Sequence, residues 1–235
     1  MIAGFDANTD FVEGAVLLID KPLKWSSFDV VKKIRNGICR KLNIKKIKVG
    51  HAGTLDPLAS GLMIICSGKA TKQIESYQEM EKVYIATLKL GQSTPSFDLE
   101  TDVDRNYPTE HITGELVTST LESMLGESLQ IPPVFSAKRV QGKRAYDFAR
   151  EGMELRMRPQ GISIYNMEIL NFDLPVLQIR IRCSKGTYVR SLARDLGRML
   201  NSGAHLSALR RTQIGEYSVD TALSPEKFTE ILNNS

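Results

Sequence analysis

Short apolar runs and amphipathic stretches alternate along most of the chain. Residues 15–19 are all apolar and stop shortly before Pro22, which predicts a buried strand, because proline cannot donate to a strand ladder. Ser26 and Ser27 then offer N-cap side chains for a helix. The apolar face of that helix follows at helical spacing: Val30, Val31, Ile34 and Ile38. A strand and an amphipathic helix are therefore expected at the start of the fold.

The same criteria predict further elements downstream. Strands are expected at residues 62–66, 83–90, 162–170, 176–183 and 206–212. Helices are expected at residues 70–80, 118–125, 145–152 and 187–200, and after Pro225. Residues 92–114 are polar and contain two prolines and a glycine, which is typical of a long loop. Because these elements do not repeat as βαβ units, the expected class is α+β, with a central mixed, largely antiparallel sheet flanked by helices.

Composition limits the classes of protein to consider. Hydrophobic residues make up 42% of the 235 residues and charged residues 25%, as in ordinary soluble globular proteins. No apolar run approaches the ~20 residues of a membrane span, and the acidic N-terminus does not fit a secretory signal, so a cytoplasmic protein is expected. Three scattered cysteines and three scattered histidines lack metal-ligand spacing, and the glycines form no phosphate-binding loop. We therefore expect neither a metal nor a cofactor.

The charged residues are unevenly distributed, although the net charge is only +4. Ten Lys or Arg residues and one acid lie between residues 21 and 50, and seven bases and three acids between residues 138 and 158. Residues 180–211 carry eight bases and one acid, whereas residues 75–127 carry eleven acids and three bases. Such blocks fit a surface for a polyanion such as a nucleic acid, but the solvated faces of an ordinary protein would give the same pattern.

A single carboxylate, Asp56, lies among glycines, a proline and small residues in the segment GHAGTLDPLASG at residues 50–61. Pro57 fixes its own φ and disfavours a helical conformation at Asp56, so the loop should be stiff and should present the carboxylate in one direction. An aspartate in such a loop is more commonly a turn residue that bonds its own backbone. Local chemistry alone therefore leaves a catalytic carboxylate and a structural turn residue both open.

The same segment resembles the signature of the tRNA pseudouridine synthase B family, which modifies the TΨC loop of tRNA. Other segments resemble further motifs of that family in the same order: GAVLLIDKP followed by two serines (14–27), KVY leading to LG (82–91), QIPP through SAK and GK to a tyrosine (130–146), CSKGTYVR (183–190), and GAH with LRR (203–211). The matching motifs extend from about residue 12 to residue 212. This resemblance implies the pseudouridine synthase fold.

The resemblance also implies a domain organisation. A loose lead-in over residues 1–12 would precede a catalytic domain over residues 13–235, with an RNA-gripping insertion at about 128–158. Many bacterial members continue into a C-terminal RNA-binding module of the PUA type, and no such domain is expected here. The basic face of the catalytic domain would then carry more of the affinity for RNA.

The implied reaction breaks the C1′–N1 bond of a uridine, rotates the base and rejoins it through C5, without a cofactor or a metal. By motif, Asp56 would act on the target nucleotide, and Arg190 would hold the carboxylate in place as a guanidinium can. Tyr84 would stack on the target base and help to remove the C5 proton. The resemblance leaves open whether Asp56 attacks the sugar, attacks the base or first takes a sugar proton.

Substrate binding is implied for further residues of the same motifs. His51 would occupy space near the flipped nucleotide, and Leu209 would line the pocket. Asp98 would be a second carboxylate partner of Arg190. Tyr188, in the same motif as Arg190, is also assigned to substrate binding. The target uridine lies inside a folded loop, so it must be flipped out at a cost of a few kcal/mol.

Lysines outside this pocket would supply affinity for RNA that does not depend on the identity of the bases. Lys21, Lys138 and Lys143 are expected to contact RNA phosphates, which makes binding dependent on salt. The resemblance implies that the partner is the T stem-loop of tRNA, and a stand-alone monomer is expected.

Three alternatives to this hypothesis differ in class. A non-catalytic RNA chaperone could fold tRNA with the same surface. A guide-RNA-dependent synthase would need partner proteins and a guide RNA, and the large accessory domain of such enzymes is not found here. A metal-dependent nuclease is disfavoured, because no second carboxylate lies near Asp56 in the sequence. A stand-alone enzyme is preferred.

Overall fold

The computed structural model describes residues 9–136 and 157–234, and between them only the backbone of two short strands, Arg139–Val140 and Lys143–Arg144. The chain divides into two compact units. The first unit combines Met1–Tyr84 with Leu209–Ser235, and the second is Ile85–Ala208.

The first unit contains the elements at both ends of the chain. In order they are β1 (Val16–Lys21), α1 (Ser27–Lys41), β2 (Val49–His51), β3 (Ala59–Ser67), a 3-10 helix (Gly68–Gln73), α2 (Ile74–Glu79), the start of β4 (Lys82–Leu90), the end of β12 (Ala204–Ile214), β13 (Tyr217–Ser218), a second 3-10 helix (Val219–Thr221) and α5 (Pro225–Asn234).

The sheet of this unit is built around β3. Strands β1 and β2 pair with β3 antiparallel, whereas β12 pairs with it parallel, and β13 pairs antiparallel with β12. The parallel register places Leu209 opposite Ala59 and Arg211 opposite Gly61. Strand β3 has paired strands on either side, and almost all of its residues are buried. Successive side chains point to opposite faces of the sheet, so both faces of β3 are covered, which explains its continuous apolar run.

Helix α1 begins where the sequence predicted it. Ser26 is the N-cap, and a capping box joins its side chain and backbone to Asp29. The predicted apolar face is buried, and α5 contributes to the same core through Phe228, whose ring meets Phe11 edge-on at 6.4 Å. On another part of the sheet, Tyr77 of α2 is buried among residues of β1 and β3.

The second unit carries the remaining elements. They are the rest of β4, β5 (Gln92–Ser93), β6 (Arg105–Asn106), α3 (Gly114–Ser123), β7 (Gly126–Gln130), β8 (Arg139–Val140), β9 (Lys143–Arg144), β10 (Gln160–Asp173), β11 (Val176–Cys183), α4 (Val189–Met199) and the start of β12. Its sheet has the order β4-β11-β10-β7, and β10 pairs antiparallel with both of its neighbours. Leu121 of α3, Leu192 of α4 and Ile179 of β11 line one packed apolar space.

The predicted class, a mixed and largely antiparallel sheet flanked by helices, is confirmed. Strand β11 has the predicted bounds, and β10 and β12 are longer at both ends than predicted. Helix α3 begins at Gly114 rather than at residue 118, because Thr113 caps it by accepting a hydrogen bond from Leu116 N. The predicted helix at 145–152 lies outside the described residues.

Some local predictions were wrong. Residues 70–80 form a 3-10 helix and then a short α-helix, and the expected loop over residues 92–114 contains the β5–β6 ladder. Strands β2, β7 and β13 were not predicted. Four of the five residues of β7 are exposed, and β2 and β13 have three and two residues, so none of them produces a hydrophobic pattern.

Candidate active site

Asp56 lies in the loop between β2 and β3, and backbone hydrogen bonds fix the chain on its C-terminal side. Ala59 N donates to the Asp56 carbonyl at 3.0 Å, and Lys24 N donates to the Pro57 carbonyl at 2.8 Å. The Asp56 side chain is half-buried, whereas Pro57 is exposed. The loop is thus held in one conformation, with its carboxylate near the protein surface.

Ser27, the first residue of α1, holds the residue that precedes Asp56. Its buried hydroxyl accepts a hydrogen bond from Leu55 N at 2.8 Å and donates one to the Leu55 carbonyl at 2.9 Å. The sequence suggested Ser27 only as a possible helix cap, a role that Ser26 fills. No local signal could have identified this contact, because its partner is 28 positions away along the chain.

A buried arginine also bonds the segment between β2 and β3, at Gly53. Arg211 is 1% exposed, and its Nε and Nη2 donate to the carbonyls of Leu62 and Gly53 at 2.8 and 3.1 Å. Gly61 permits the close approach of its strand, because a Cβ there would lie 2.2 Å from the Arg211 carbonyl oxygen. This role of Arg211 was not predicted from the sequence, although Arg211 belongs to the same motif as Leu209.

Lys21 lies inside the first unit and not on its surface. The residue is 0% exposed, and its ammonium donates to the carbonyls of Pro22 and Trp25 at 3.0 and 2.6 Å. Burial lowers the pKa of Lys21 to about 8, against the attraction of the Asp56 carboxylate, which raises it. The expected contact with RNA phosphates is therefore corrected: this ammonium faces protein carbonyls and a carboxylate.

His51, at the end of β2, is half-buried. Burial lowers the pKa of its imidazole, and the nearby Arg211 charge lowers it further, while a hydrogen bond to the Gly53 backbone opposes both. A lowered pKa favours the uncharged ring, which suits contact with an uncharged group better than with a phosphate.

Tyr84 and Leu209 also belong to the first unit. Tyr84 is 8% exposed on β4, where the Val83 carbonyl accepts a hydrogen bond from the Thr212 hydroxyl at 3.2 Å. Leu209 is half-buried on β12, opposite Ala59 at the start of β3. Asp56, Tyr84, His51 and Leu209 thus lie in one compact unit.

In the second unit, the structure brings Arg190 and Asp98 together. The Arg190 Nε lies 3.6 Å from the Asp98 Oδ2, and both side chains are almost fully buried. The same guanidinium donates to the carbonyls of Ser96 at 3.3 Å and Phe135 at 2.7 Å. Phe97, which lies between Ser96 and Asp98 in the chain, has a positive φ of 63°. Because Asp98 and the carbonyls of Ser96 and Phe135 contact the Arg190 guanidinium from several directions, it is held in one orientation.

Tyr188 is the N-cap residue of α4. Its amide donates to Gln130 Oε1 at 2.8 Å, and its carbonyl accepts from Gln130 Nε2 at 3.2 Å. These two bonds position the start of the helix that carries Arg190. Lys138 lies outside the described residues, as does the side chain of Lys143.

Residues 9–136 and 157–234 contain no group of three His, Cys, Asp or Glu side chains that could hold a metal ion. Within the same ranges, no helix is long and apolar enough to cross a membrane.

Two family profiles together match most of the chain. The profile for the TruB family pseudouridylate synthase (N terminal domain) matches residues 40–189. The profile for the tRNA pseudouridylate synthase B C-terminal domain matches residues 190–234.

Several curated proteins are similar over nearly their whole length. A tRNA pseudouridine synthase B of Parabacteroides distasonis is 56% identical over 226 residues, 96% of each chain. The protein of the same name from Phocaeicola vulgatus is 59% identical over 224 residues, 95% of each chain. That from Flavobacterium johnsoniae is 49% identical over 95% of this chain and 98% of its own.

A solved structure shares the fold. It is described as an H/ACA RNP bound to a substrate RNA containing 2′-deoxyuridine, and it matches with a TM-score of 0.67 at 24% identity. The match covers 94% of this chain but only 54% of the other, so this chain spans about half of that longer protein.

Proposed function

Because this chain belongs to the TruB family of pseudouridylate synthases, we propose that it converts the T-loop uridine at position 55 of tRNA into pseudouridine, with Asp56 acting on the target nucleotide. Membership makes it an RNA-modifying isomerase. The position in tRNA and the role of the aspartate belong to the proposal.

The proposed role of Asp56 is supported by the contacts that hold its loop in place. Ser27 clamps the preceding residue, Lys24 holds the following one, and the buried Lys21 ammonium attracts the carboxylate. A carboxylate that acts on one atom of a bound nucleotide has to be held to within a fraction of an ångström, and such supporting contacts provide this. A simple surface turn would need none of them.

The reaction is an isomerisation, so all atoms of the uridine are kept. The C1′–N1 bond breaks, the base rotates, a C1′–C5 bond forms, and the C5 proton is removed while N1 gains one. Tyr84 is proposed to stack on the base and assist that proton removal, since an aromatic face holds a flipped base by ~1–3 kcal/mol. Arg190 is proposed to act on the Asp56 carboxylate, with Asp98 as its second partner.

Three further residues complete the proposed pocket. His51, as a neutral ring, occupies the space next to the flipped nucleotide, and Leu209 lines the pocket with an apolar side chain. Tyr188 contributes to substrate binding at the start of α4. Lys138 and Lys143 are proposed to contact phosphates from the insertion. The enzyme is proposed to act alone, as a cytoplasmic monomer without a guide RNA.

The test compares the wild-type protein with Asp56→Asn on an unmodified tRNA transcript, with pseudouridine mapped along the whole RNA. The wild type should modify the T-loop uridine only, and Asp56→Asn should form no product while it binds tRNA with unchanged affinity. Asp220→Asn, which changes an exposed aspartate of the same unit, is the matched control and should be fully active.

Three results would contradict the proposal. Product at a position outside the T loop would refute the substrate assignment. Unchanged modification by Asp56→Asn would remove Asp56 from the mechanism. A wild-type protein that remodels tRNA and forms no pseudouridine would instead support an RNA chaperone.

A further inference from the structure

The connection between β1 and α1 and the first turn of α1 each present a large apolar side chain to solvent. Leu23 is 53% exposed, and Phe28, in the first turn of α1, is 63% exposed. Lys24 lies between them and is also exposed. Single exposed apolar residues are ordinary on a protein surface, so exposure alone assigns no function to these side chains. Their attachment to the Asp56 loop distinguishes them.

The first attachment joins Leu23 to the residue that follows Asp56. Lys24 N, directly after Leu23, donates to the Pro57 carbonyl at 2.8 Å. A hydrogen bond of this length brings two backbones to within about 5 Å. Leu23 therefore projects from a chain segment in direct contact with the Asp56 loop.

The second attachment joins Phe28 to the residue that precedes Asp56. Ser27, directly before Phe28, exchanges two hydrogen bonds with the Leu55 backbone at 2.8 and 2.9 Å. Leu23 and Phe28 thus each lie next to a residue that is hydrogen-bonded to a neighbour of Asp56. A nucleotide bound at Asp56 would therefore have these two side chains on chain segments that are hydrogen-bonded to the Asp56 loop.

The connection is rigid before any ligand arrives. Lys24 has a φ of 68°, a conformation that a lysine rarely adopts and that the surrounding contacts must impose. The buried Lys21 ammonium holds the chain on either side of Lys24, since it donates hydrogen bonds to the carbonyls of Pro22 and Trp25. A preformed surface of this kind loses little conformational entropy when it binds.

Cations continue the same face along α1. Phe28 and Lys32 are four residues apart and therefore lie on one side of the helix, ~6 Å apart along its axis. Lys32 and Lys33 are both exposed. The nearby acid, Asp29, accepts hydrogen bonds from the Ser26 backbone and hydroxyl. An apolar face bordered by lysines complements a nucleotide, which has an apolar base and an anionic phosphate.

We propose that Leu23, Lys24, Phe28 and Lys32, named here the β1–α1 surface, bind the nucleotides next to the reacting uridine of the substrate RNA. Phe28 stacks on a base, Leu23 packs against the same nucleotide, and the two lysines contact the adjacent phosphates. This inference rests on the proposed function, because the nucleotides concerned are those next to the uridine on which Asp56 is proposed to act.

The test measures both binding and turnover on unmodified tRNA. Fluorescence anisotropy gives the Kd, and single-turnover assays give the rate of pseudouridine formation. Phe28→Ala should raise the Kd by about 5- to 100-fold, whereas Phe28→Tyr, which keeps an aromatic face, should stay within about twofold of wild type. Leu42→Ala is the matched control, since Leu42 is 37% exposed at the other end of α1, and it should change neither quantity.

The lysines are tested through salt dependence. Lys24→Asn keeps a residue type that tolerates positive φ, and Lys32→Gln keeps a helix former. Each should reduce the slope of log Kd against log salt concentration by about 0.7–0.9, the value for one phosphate contact. Lys72→Gln, at an exposed lysine of the 3-10 helix, should leave the slope unchanged.

The outcomes separate the two proposals. A wild-type protein that forms no pseudouridine would contradict the proposed function, and the binding measurements would still decide on the surface. A Phe28→Ala protein that binds tRNA as the wild type does would overturn the β1–α1 surface, even if the enzyme is active. Equal weakening by Phe28→Ala and Leu42→Ala, or by Phe28→Ala and Phe28→Tyr, would overturn it as well.

Discussion

The Ser27 hydroxyl makes two hydrogen bonds to one residue, Leu55: it accepts from the Leu55 amide at 2.8 Å and donates to the Leu55 carbonyl at 2.9 Å. Ser27 is 4% exposed and Leu55 is 3% exposed, so neither backbone group can turn to water instead. One hydroxyl thereby satisfies both polar groups of a loop residue outside any strand ladder. Since Leu55 directly precedes Asp56, this contact ties the candidate catalytic loop to helix α1.

Replacing this hydroxyl should therefore affect both stability and turnover. Ser27→Ala leaves the Leu55 amide and carbonyl buried without the hydroxyl partner, which should cost about 1–3 kcal/mol of the free energy of unfolding. It should also lower kcat more than it raises KM, because the Asp56 carboxylate loses a fixed position. Urea unfolding and steady-state assays on tRNA measure these effects.

Ser119→Ala is the control for that variant, since the Ser119 hydroxyl bonds the Leu116 carbonyl on the exposed side of a helix. Its effect on stability should stay below about 0.5 kcal/mol. If Ser27→Ala lost stability but kept its kcat, Ser27 would serve only the fold.

The sequence pattern predicted the elements that are determined by residues close to one another in the chain. Helix α1 follows from the Ser26 cap and four apolar residues at helical spacing, and β11 from eight residues between clear turns. The polar strand β7 has no such signal, because pairing with β10 alone makes it a strand. Tertiary pairing of this kind is invisible in a hydrophobic pattern.

At the candidate site, too, the features that depend on tertiary contacts were not predicted from the sequence. Lys21 and Arg211 count as surface charges in any sequence tally, yet they are 0% and 1% exposed and donate to backbone carbonyls. Neither burial nor partners can be inferred from the residue type, since buried lysine and arginine are rare. Asp56 itself could not be separated from a turn residue by its loop alone. The resemblance to a family supplied that assignment.

The buried pair of the second unit gives another prediction. Arg190→Lys should be strongly destabilised and inactive, because an ammonium cannot reach Asp98, Ser96 and Phe135 in the directions that the guanidinium uses. Asp98→Asn should keep the shape of the loop but leave the buried Arg190 cation less compensated. This should lower the free energy of unfolding by up to ~3–5 kcal/mol. Thermal unfolding and activity assays measure both.

Asp104→Asn provides the comparison for Asp98→Asn, because Asp104 is exposed and bonds the Ser93 hydroxyl at 2.6 Å. Asp104→Asn should lower the free energy of unfolding by less than about 0.5 kcal/mol. Equal stability of Asp98→Asn and Asp104→Asn would show that the ion pair contributes nothing to the fold.

Lys21 predicts a dependence of stability on pH. Burial lowers the pKa of Lys21 from 10.5 to about 8, so between these values the unfolded chain holds a proton that the folded protein has lost. Stability therefore rises with pH across this interval, by at most about 1.4 kcal/mol per pH unit. Below pH 8 the folded protein carries the full penalty of a charged buried ammonium.

Urea unfolding at pH 7.5, 8.5 and 9.5 should show this rise as a difference between the wild type and Lys21→Met. The difference is needed because burial raises the pKa of Cys66 to about 11, which gives the opposite slope above pH 9 in both proteins. Parallel pH profiles for the two proteins would mean that Lys21 does not titrate in this range.

The approach of β12 to β3 depends on a glycine. Gly61 has a φ of 108°, and a Cβ at this position would lie 2.2 Å from the carbonyl oxygen and 2.7 Å from the amide nitrogen of Arg211. Gly61→Ala must therefore push the two strands apart and displace Arg211 from the Leu62 and Gly53 carbonyls, at a cost of several kcal/mol, about 3 or more. Gly161→Ala should stay within about 1 kcal/mol of wild type, since nothing lies within 4 Å of its added Cβ. Thermal unfolding compares the two variants directly, and a Gly61→Ala protein as stable as Gly161→Ala would show that β12 can shift without loss.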